Sequence, residues 1–313
     1  MTRAFVFPGQ GSQAVGMGRD LAEAFPAARQ VFEEVDDALG QSLSRLMFEG
    51  PEDQLTLTEN AQPALMAVSL AVVRVLEGEG KISLASKGAF VAGHSLGEYS
   101  ALAAAGTFSL ADTARLLKIR GQAMQKAVPV GQGAMAALLG ADYAQALEIA
   151  EAAAQGEVCA AANDNAPGQV VVSGAKAAVD RAIAIAAEKG IKRAVLLPVS
   201  APFHCALMQP AADAMAEALS KVSLNAPALP LVANVTASKV TDPATIRDLL
   251  VAQVTGTVRW RESVLYLKDQ GVDTLVELGS GKVLSGLAKR IDKEIGGVAI
   301  NTPADVETFL NSL

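Results

Sequence analysis

Apolar positions along the chain follow two rhythms. Short apolar runs at Ala4–Phe7, Phe90–Ala92, Leu231–Val235 and Thr274–Leu278 predict buried strands. Apolar residues at helical spacing predict helices over Arg19–Leu39, Ala64–Leu76 (with Pro63 placed to open it), the stretch after Gly93 to about Ala105, Ser109–Lys126, Pro243–Val254, Val258–Gln270 and Lys282–Lys293. Ser109 and Asp112 form a capping-box pattern at one of these starts. Strands alternating with helices argue for an α/β fold with a mainly parallel sheet covered on both faces.

The rhythm changes in the middle of the chain. Ala134–Leu139 reads as a strand, Tyr143–Ala154 as a helix, Val158–Ala162 and Gln169–Val172 as strands, Ala175–Lys189 as a helix and Arg193–Val199 as a strand. Asn163–Gly168 is the turn-rich connection between the central strands. The order β-α-β-β-α-β predicts a ferredoxin-like small domain at 129–197, inserted into a large domain made of 1–128 and 198–313.

Composition narrows the function classes. Of 313 residues 51% are apolar and 19% charged, which suits a folded globular chain. The net charge is −7 with no long basic run, so nucleic acid is not an expected partner. The longest apolar-looking region, Ala89–Gly106, carries His94 and Glu98, so no membrane partner is expected either. Thr2-Arg3 leads straight into a strand-like run without a secretory pattern. Cys159 and Cys205 supply neither a disulfide framework nor a metal cluster, and a cytoplasmic protein without a metal is expected.

Gly93-His94-Ser95-Leu96-Gly97 is a G-x-S-x-G motif between a strand and a helix. The pattern alone arises in about one chain in ten of this length. Its strand–turn–helix context makes Ser95 a candidate nucleophile, with the backbone N–H of Leu96 aimed at the oxyanion. A hydroxyl needs a base, and there are only two histidines. His94 adjoins Ser95 on a tight turn, where neighbouring side chains diverge, which leaves His204 in Ser200-Ala201-Pro202-Phe203-His204. Cys205 is a weaker rival nucleophile, lacking an elbow and a second histidine. No Asp or Glu is evident to orient the imidazole; a backbone carbonyl would make a dyad.

Arg120 is out of place on its helix. Its i±3 and i±4 neighbours are Leu116, Leu117, Ala123 and Met124, an environment costly for a guanidinium unless it meets an anion. The alternatives are an internal salt bridge and a clamp for an acidic acyl substrate. Gly9-Gln10-Gly11-Ser12-Gln13-Ala14 superficially matches the dinucleotide fingerprint, but the acid-tipped second strand it requires is replaced by a helical pattern at Val31–Val35. Gln10 can instead offer its backbone N–H to the same oxyanion as Leu96.

Phe7–Gln13 (FPGQGSQ), Gly93–Tyr99 (GHSLGEY) and the Phe203-His204 loop resemble the malonyl-CoA:acyl carrier protein transacylases of fatty acid synthesis and the acyltransferase domains of polyketide synthases. The resemblance spans nearly the whole chain. It implies a hydrolase-like large domain, Ser95 as nucleophile, His204 as base, Arg120 as carboxylate-binding residue and the Gln10 and Leu96 amides as oxyanion hole. It further implies that the Gln253 main-chain carbonyl orients His204. Asn163 and Asn165 match polar residues near the cleft, and Phe203 matches the bulky residue of malonyl-selective members. The implied partners are malonyl-CoA and an acyl carrier protein, with coenzyme A thioester as substrate, no cofactor and a monomeric enzyme. Lys189, Lys192 and Arg193 are candidate carrier contacts near the expected mouth of the cleft. A serine thioesterase or esterase needs the same Ser95 and His204, but gives Arg120 no role on a neutral ester. A non-enzymatic binding protein has no need of an intact elbow.

Overall fold

Ten strands run in chain order as β1 (Arg3–Phe7), β2 (Phe90–Gly93), β3 (Gly133–Leu139), β4 (Cys159–Ala166), β5 (Gln169–Ala175), β6 (Arg193–Leu196), β7 (Leu231–Val232), β8 (Lys239–Val240), β9 (Thr274–Leu278) and β10 (Gly296–Ile300). The computed structural model describes residues 1–313. One sheet has the order β10-β9-β1-β2-β7-β8, parallel throughout except for the β7–β8 edge pair. Its inner strands are buried on both faces: in β1, Phe5 and Phe7 enter one apolar core, while Ala4 and Val6 enter the other. That two-sided burial explains why these strands read as continuous apolar runs.

The second sheet has the order β4-β5-β3-β6 and is wholly antiparallel. Ala134, Ala136, Leu138, Val170 and Val172 pack beneath helices Tyr143–Ala154 and Lys176–Glu188. Met135, Ala162 and Val171 point the other way and join the core of the large sheet. Edge strand β4 is tied down by Asp164 N–H to the Val258 carbonyl and Val258 N–H to the Ala162 carbonyl, both 2.9 Å. The buried Asp164 carboxylate also meets Arg261 at 2.8 Å.

Several elements depart from the sequence reading. Arg19–Leu39 is two helices, Arg19–Ala24 and Pro26–Leu39, because Pro26 forces Phe25 into an extended conformation. Pro63 lies inside a helix that already begins at Thr58 and runs to Gly80. By length and composition that helix, rather than Ala89–Gly106, is the chain's longest apolar element, and 83% of its most apolar window is buried inside the protein. Asn163–Gly168 is not a long turn: β4 continues to Ala166 through two irregularities of register, leaving Pro167-Gly168 as the connection. β6 ends at Leu196 and β7 at Val232, both earlier than their apolar runs. Helix Gln209–Ser220 is an element beyond the sequence expectation, with Ala211, Ala212, Met215 and Leu219 as its buried stripe. Edge strand β10 was hidden by its two glycines and exposed Val298.

Lys189, Lys192 and Arg193 do not line the cavity. Arg193 pairs with Leu139 at one end of β3, whereas cavity-lining Met135 and Leu197 lie toward the other end. Lys189 is also engaged with Glu148 at 3.3 Å.

Candidate active site

The carboxyl ends of β1 and β2, the β6 exit loop and the small sheet enclose a cavity of about 830 Å³. Gln10, Ser95, Leu96, Arg120, Asn163, Phe203 and His204 all line it. Ligands of open α/β sheets bind at this end of the strands.

Ser95 occupies a sharp elbow between β2 and helix Gly97–Ala104, with φ of 53°. Glycines make the elbow possible. A Cβ on Gly93 would strike the Gly97 carbonyl, and one on Gly97 would strike the carbonyl of Phe7. Asn234, just beyond β7, pins the turn: its Oδ1 accepts from the Ser95 N–H at 2.8 Å, and its Nδ2 donates to the Gly93 carbonyl at 2.6 Å.

Ser95 Oγ lies 2.8 Å from His204 Nε2. On the far side of the ring, Nδ1 is 2.9 Å from the Gln253 carbonyl and 3.2 Å from that of Gly256. Carbonyls only accept, so Nδ1 carries the proton and Nε2 is left to accept from the serine. Gln253 is in the last turn of helix Pro243–Thr255, where carbonyls have no helical partner. Burial first, and the Arg120 charge second, push the imidazole pKa down to about 3, so His204 is held neutral.

Arg120 is 1% exposed and forms no ion pair. Its Nη1 donates to Gln62 Oε1 at 2.8 Å, and its Nη2 donates to Gln253 Oε1 at 2.7 Å and Ser95 Oγ at 3.0 Å. Its Nε is buried without a partner. A guanidinium held by neutral groups, with a donor to spare, is poised for an anion beside Ser95. Gly121 makes this placement possible, because a Cβ there would collide with the backbone of Thr58 and Glu59 where the two helices cross.

The remaining sequence candidates divide. Gln10 lines the cavity, and its side chain donates to Thr58 Oγ1 at 3.1 Å. Phe203 is 8% exposed on that wall. Asn163 faces the cavity, whereas Asn165 Oδ1 meets His94 Nε2 at 2.8 Å and so braces the elbow from β4. Cys205 is buried, with its thiol directed to the Pro202 carbonyl and its pKa raised chiefly by burial.

The model of the family described as acyl transferase domain matches residues 4–294. This chain belongs to that family. It is 49% identical to the malonyl CoA-acyl carrier protein transacylase of Escherichia coli K12, covering 98% of each chain. Identity to the Bacillus subtilis transacylase is 43%, over 99% of this chain and 96% of the relative. The crystal structure of an acyl-carrier-protein S-malonyltransferase from Bartonella henselae is 60% identical, with a TM-score of 0.97 over 100% of this chain and 99% of that one. A malonyl-transacylase solved in complex with its type II polyketide acyl-carrier protein is 44% identical, with a TM-score of 0.96 over 100% of both chains.

Sequence reasoning missed three residues of this acyltransferase: Gln62, Asn234 and Glu98. Glu98 had a legible signal of the same kind as Arg120, a charged residue on a helix apolar all round. Gln62 and Asn234 had none, because each becomes significant only through partners distant in sequence.

Proposed function

We propose that this chain is an acyl-carrier-protein S-malonyltransferase, moving malonyl from malonyl-CoA to the phosphopantetheine thiol of an acyl carrier protein through an ester on Ser95. The observation that carries this reading is the meeting, in one cavity, of a serine–histidine pair at 2.8 Å and a buried arginine without an acidic partner. The names of the relatives agree with it. We read residues 129–197 as a ferredoxin-like domain, on the order β4-β5-β3-β6, and 1–128 with 198–313 as a hydrolase-like domain, on the serine elbow. A cytoplasmic location belongs to the same reading.

Ser95 Oγ attacks the thioester carbonyl while His204 Nε2 takes its proton. The backbone N–H groups of Gln10 and Leu96 receive the oxyanion. Negative dipole at the end of helix Pro243–Thr255, through the Gln253 carbonyl, favours the imidazolium that forms. Collapse of the intermediate expels the coenzyme A sulfur, which takes the proton from His204. The carrier thiol then gives its proton to His204 and attacks the ester; collapse of this second intermediate breaks the bond to Ser95 Oγ, which takes the proton back from His204 Nε2. Arg120 holds the malonyl carboxylate throughout, Asn163 offers polar contact, and Phe203 crowds the α-carbon against branched acyl groups. Every proton and charge has a protein group or substrate atom to carry it, so the reading calls for no cofactor.

The experiment is to mix the protein with malonyl-CoA and map the added mass. It is expected on the Gly93–Tyr99 peptide; a label on Cys205, or turnover with no label, would overturn the mechanism. Transfer to a carrier thiol must also exceed hydrolysis, or the chain is a thioesterase.

A second outcome concerns pH. With its folded pKa depressed to about 3, His204 stays neutral far below the ordinary imidazole value. The kcat/KM for malonyl-CoA is therefore expected to hold as pH falls through 6.5, with its acid limb lower. Glu98→Gln removes the buried carboxyl whose pKa is raised to about 7 and should leave that limb in place. A wild-type limb centred on pH 6.5 would mean that His204 titrates as a solvated histidine.

A further inference from the structure

Beneath the elbow lies a carboxylate to which the acyl-transfer mechanism gives no task. Glu98 is 1% exposed, in the first turn of the helix that follows Ser95. Its Oε2 accepts from the Asn234 backbone N–H at 3.0 Å and from Gln253 Nε2 at 3.2 Å. The same Nε2 donates to the Ser95 carbonyl at 2.9 Å, and the opposite end of that amide, Oε1, accepts from Arg120 at 2.7 Å. The two ends of a carboxamide are alike in shape and opposite in hydrogen-bonding sense. Reversal would place an NH₂ group against a guanidinium that has only donors.

We propose that Glu98 is a positioning residue for acyl selection: it locks the direction of the Gln253 amide, so that Gln253 Oε1 holds the Arg120 guanidinium where a substrate carboxylate must meet it. Glu98 touches neither substrate nor reacting atoms; it acts through Gln253. The Asn234 bond ties the same carboxylate to the residue that holds the Ser95 N–H, so the nucleophile and the anion clamp share one support. From the other end of the Gln253 amide its charge still favours the Arg120 cation and offsets part of the cost of burying that guanidinium. Burial raises the Glu98 pKa to about 7.

The inference rests on the malonyltransferase reading, and its test separates the two. Malonyl and acetyl transfer are measured in wild type, Glu98→Ala and Glu98→Gln, with folding checked by circular dichroism. Glutamine keeps an acceptor for both donors, so Glu98→Gln should stay within about threefold of wild type in the malonyl-to-acetyl ratio. Loss of the acceptor in Glu98→Ala should lower malonyl kcat/KM by about 10- to 100-fold, the usual effect of misplacing a clamp by about an ångström. Acetyl transfer, which does not use the clamp, should change far less. If Glu98→Ala fails to fold, Glu98→Asp withdraws the carboxylate from Gln253 by one methylene and should lower the ratio in the same direction. An unchanged ratio in a folded Ala or Asp variant, or a Gln variant as impaired as Ala, overturns the proposal. Absence of malonyl transfer in wild type would instead overturn the activity itself.

Discussion

Replacing His204 with alanine is expected to slow malonyl transfer by about two to four orders of magnitude, the range of a well-placed general base. The imidazole is the only group at hydrogen-bond distance from Ser95 Oγ that can accept its proton, since the other partner, Arg120 Nη2, only donates. Its far nitrogen rests on carbonyls rather than a carboxylate. Gln253→Ala should therefore leave base catalysis largely intact, because the main-chain carbonyl remains, and should act instead on acyl choice. Pre-steady-state acylation of Ser95 by malonyl-CoA is the measurement for both variants. Near-normal acylation by a folded His204→Ala protein would remove His204 from the mechanism.

Arg120→Ala is expected to lose most of the preference for malonyl over acetyl. Malonyl differs from acetyl by one carboxylate, and a bidentate guanidinium meets it with charge-assisted bonds. Leaving one partner of a buried charge pair unmatched costs about 3–5 kcal/mol, which corresponds to a loss of malonyl-over-acetyl selectivity on the order of 100- to 5000-fold. With acetyl-CoA the wild-type arginine stays buried on neutral amides; removing it should affect acetyl transfer little or improve it. Lysine restores charge but not the planar fork, so Arg120→Lys should recover only part of the ratio. The check is kcat/KM for both acyl-CoA donors in the three proteins. An unchanged ratio in Arg120→Ala would make Arg120 a purely structural cation.

Local patterns in the sequence determined much of this molecule. Apolar runs buried on both faces marked β1, β2 and β9, because a strand inside a parallel sheet has no solvent side to carry polar residues. The change of order after residue 129 marked the second sheet, and the glycines around Ser95 marked the elbow, because no side chain fits there. Arg120 was legible as a charge among leucines, and Glu98 was equally legible. What the sequence could not decide was pairing across long separations. Arg120 had either an internal acid or an external anion to satisfy it; in the fold its hydrogen-bond partners are Gln62, Gln253 and Ser95, distant in sequence and neutral. Asn165 looked like a cleft residue and became a brace for His94, because the register of β4 on β5 and on Val258 sets which way each asparagine faces. Arg193 is near Leu197 in sequence yet pairs with Leu139, toward the end of β3 away from cavity-lining Met135, since a strand's rise separates its ends. Hydrogen-bond direction and distance belong to the assembled chain, because each bond joins groups that only the packing of the two sheets brings within reach.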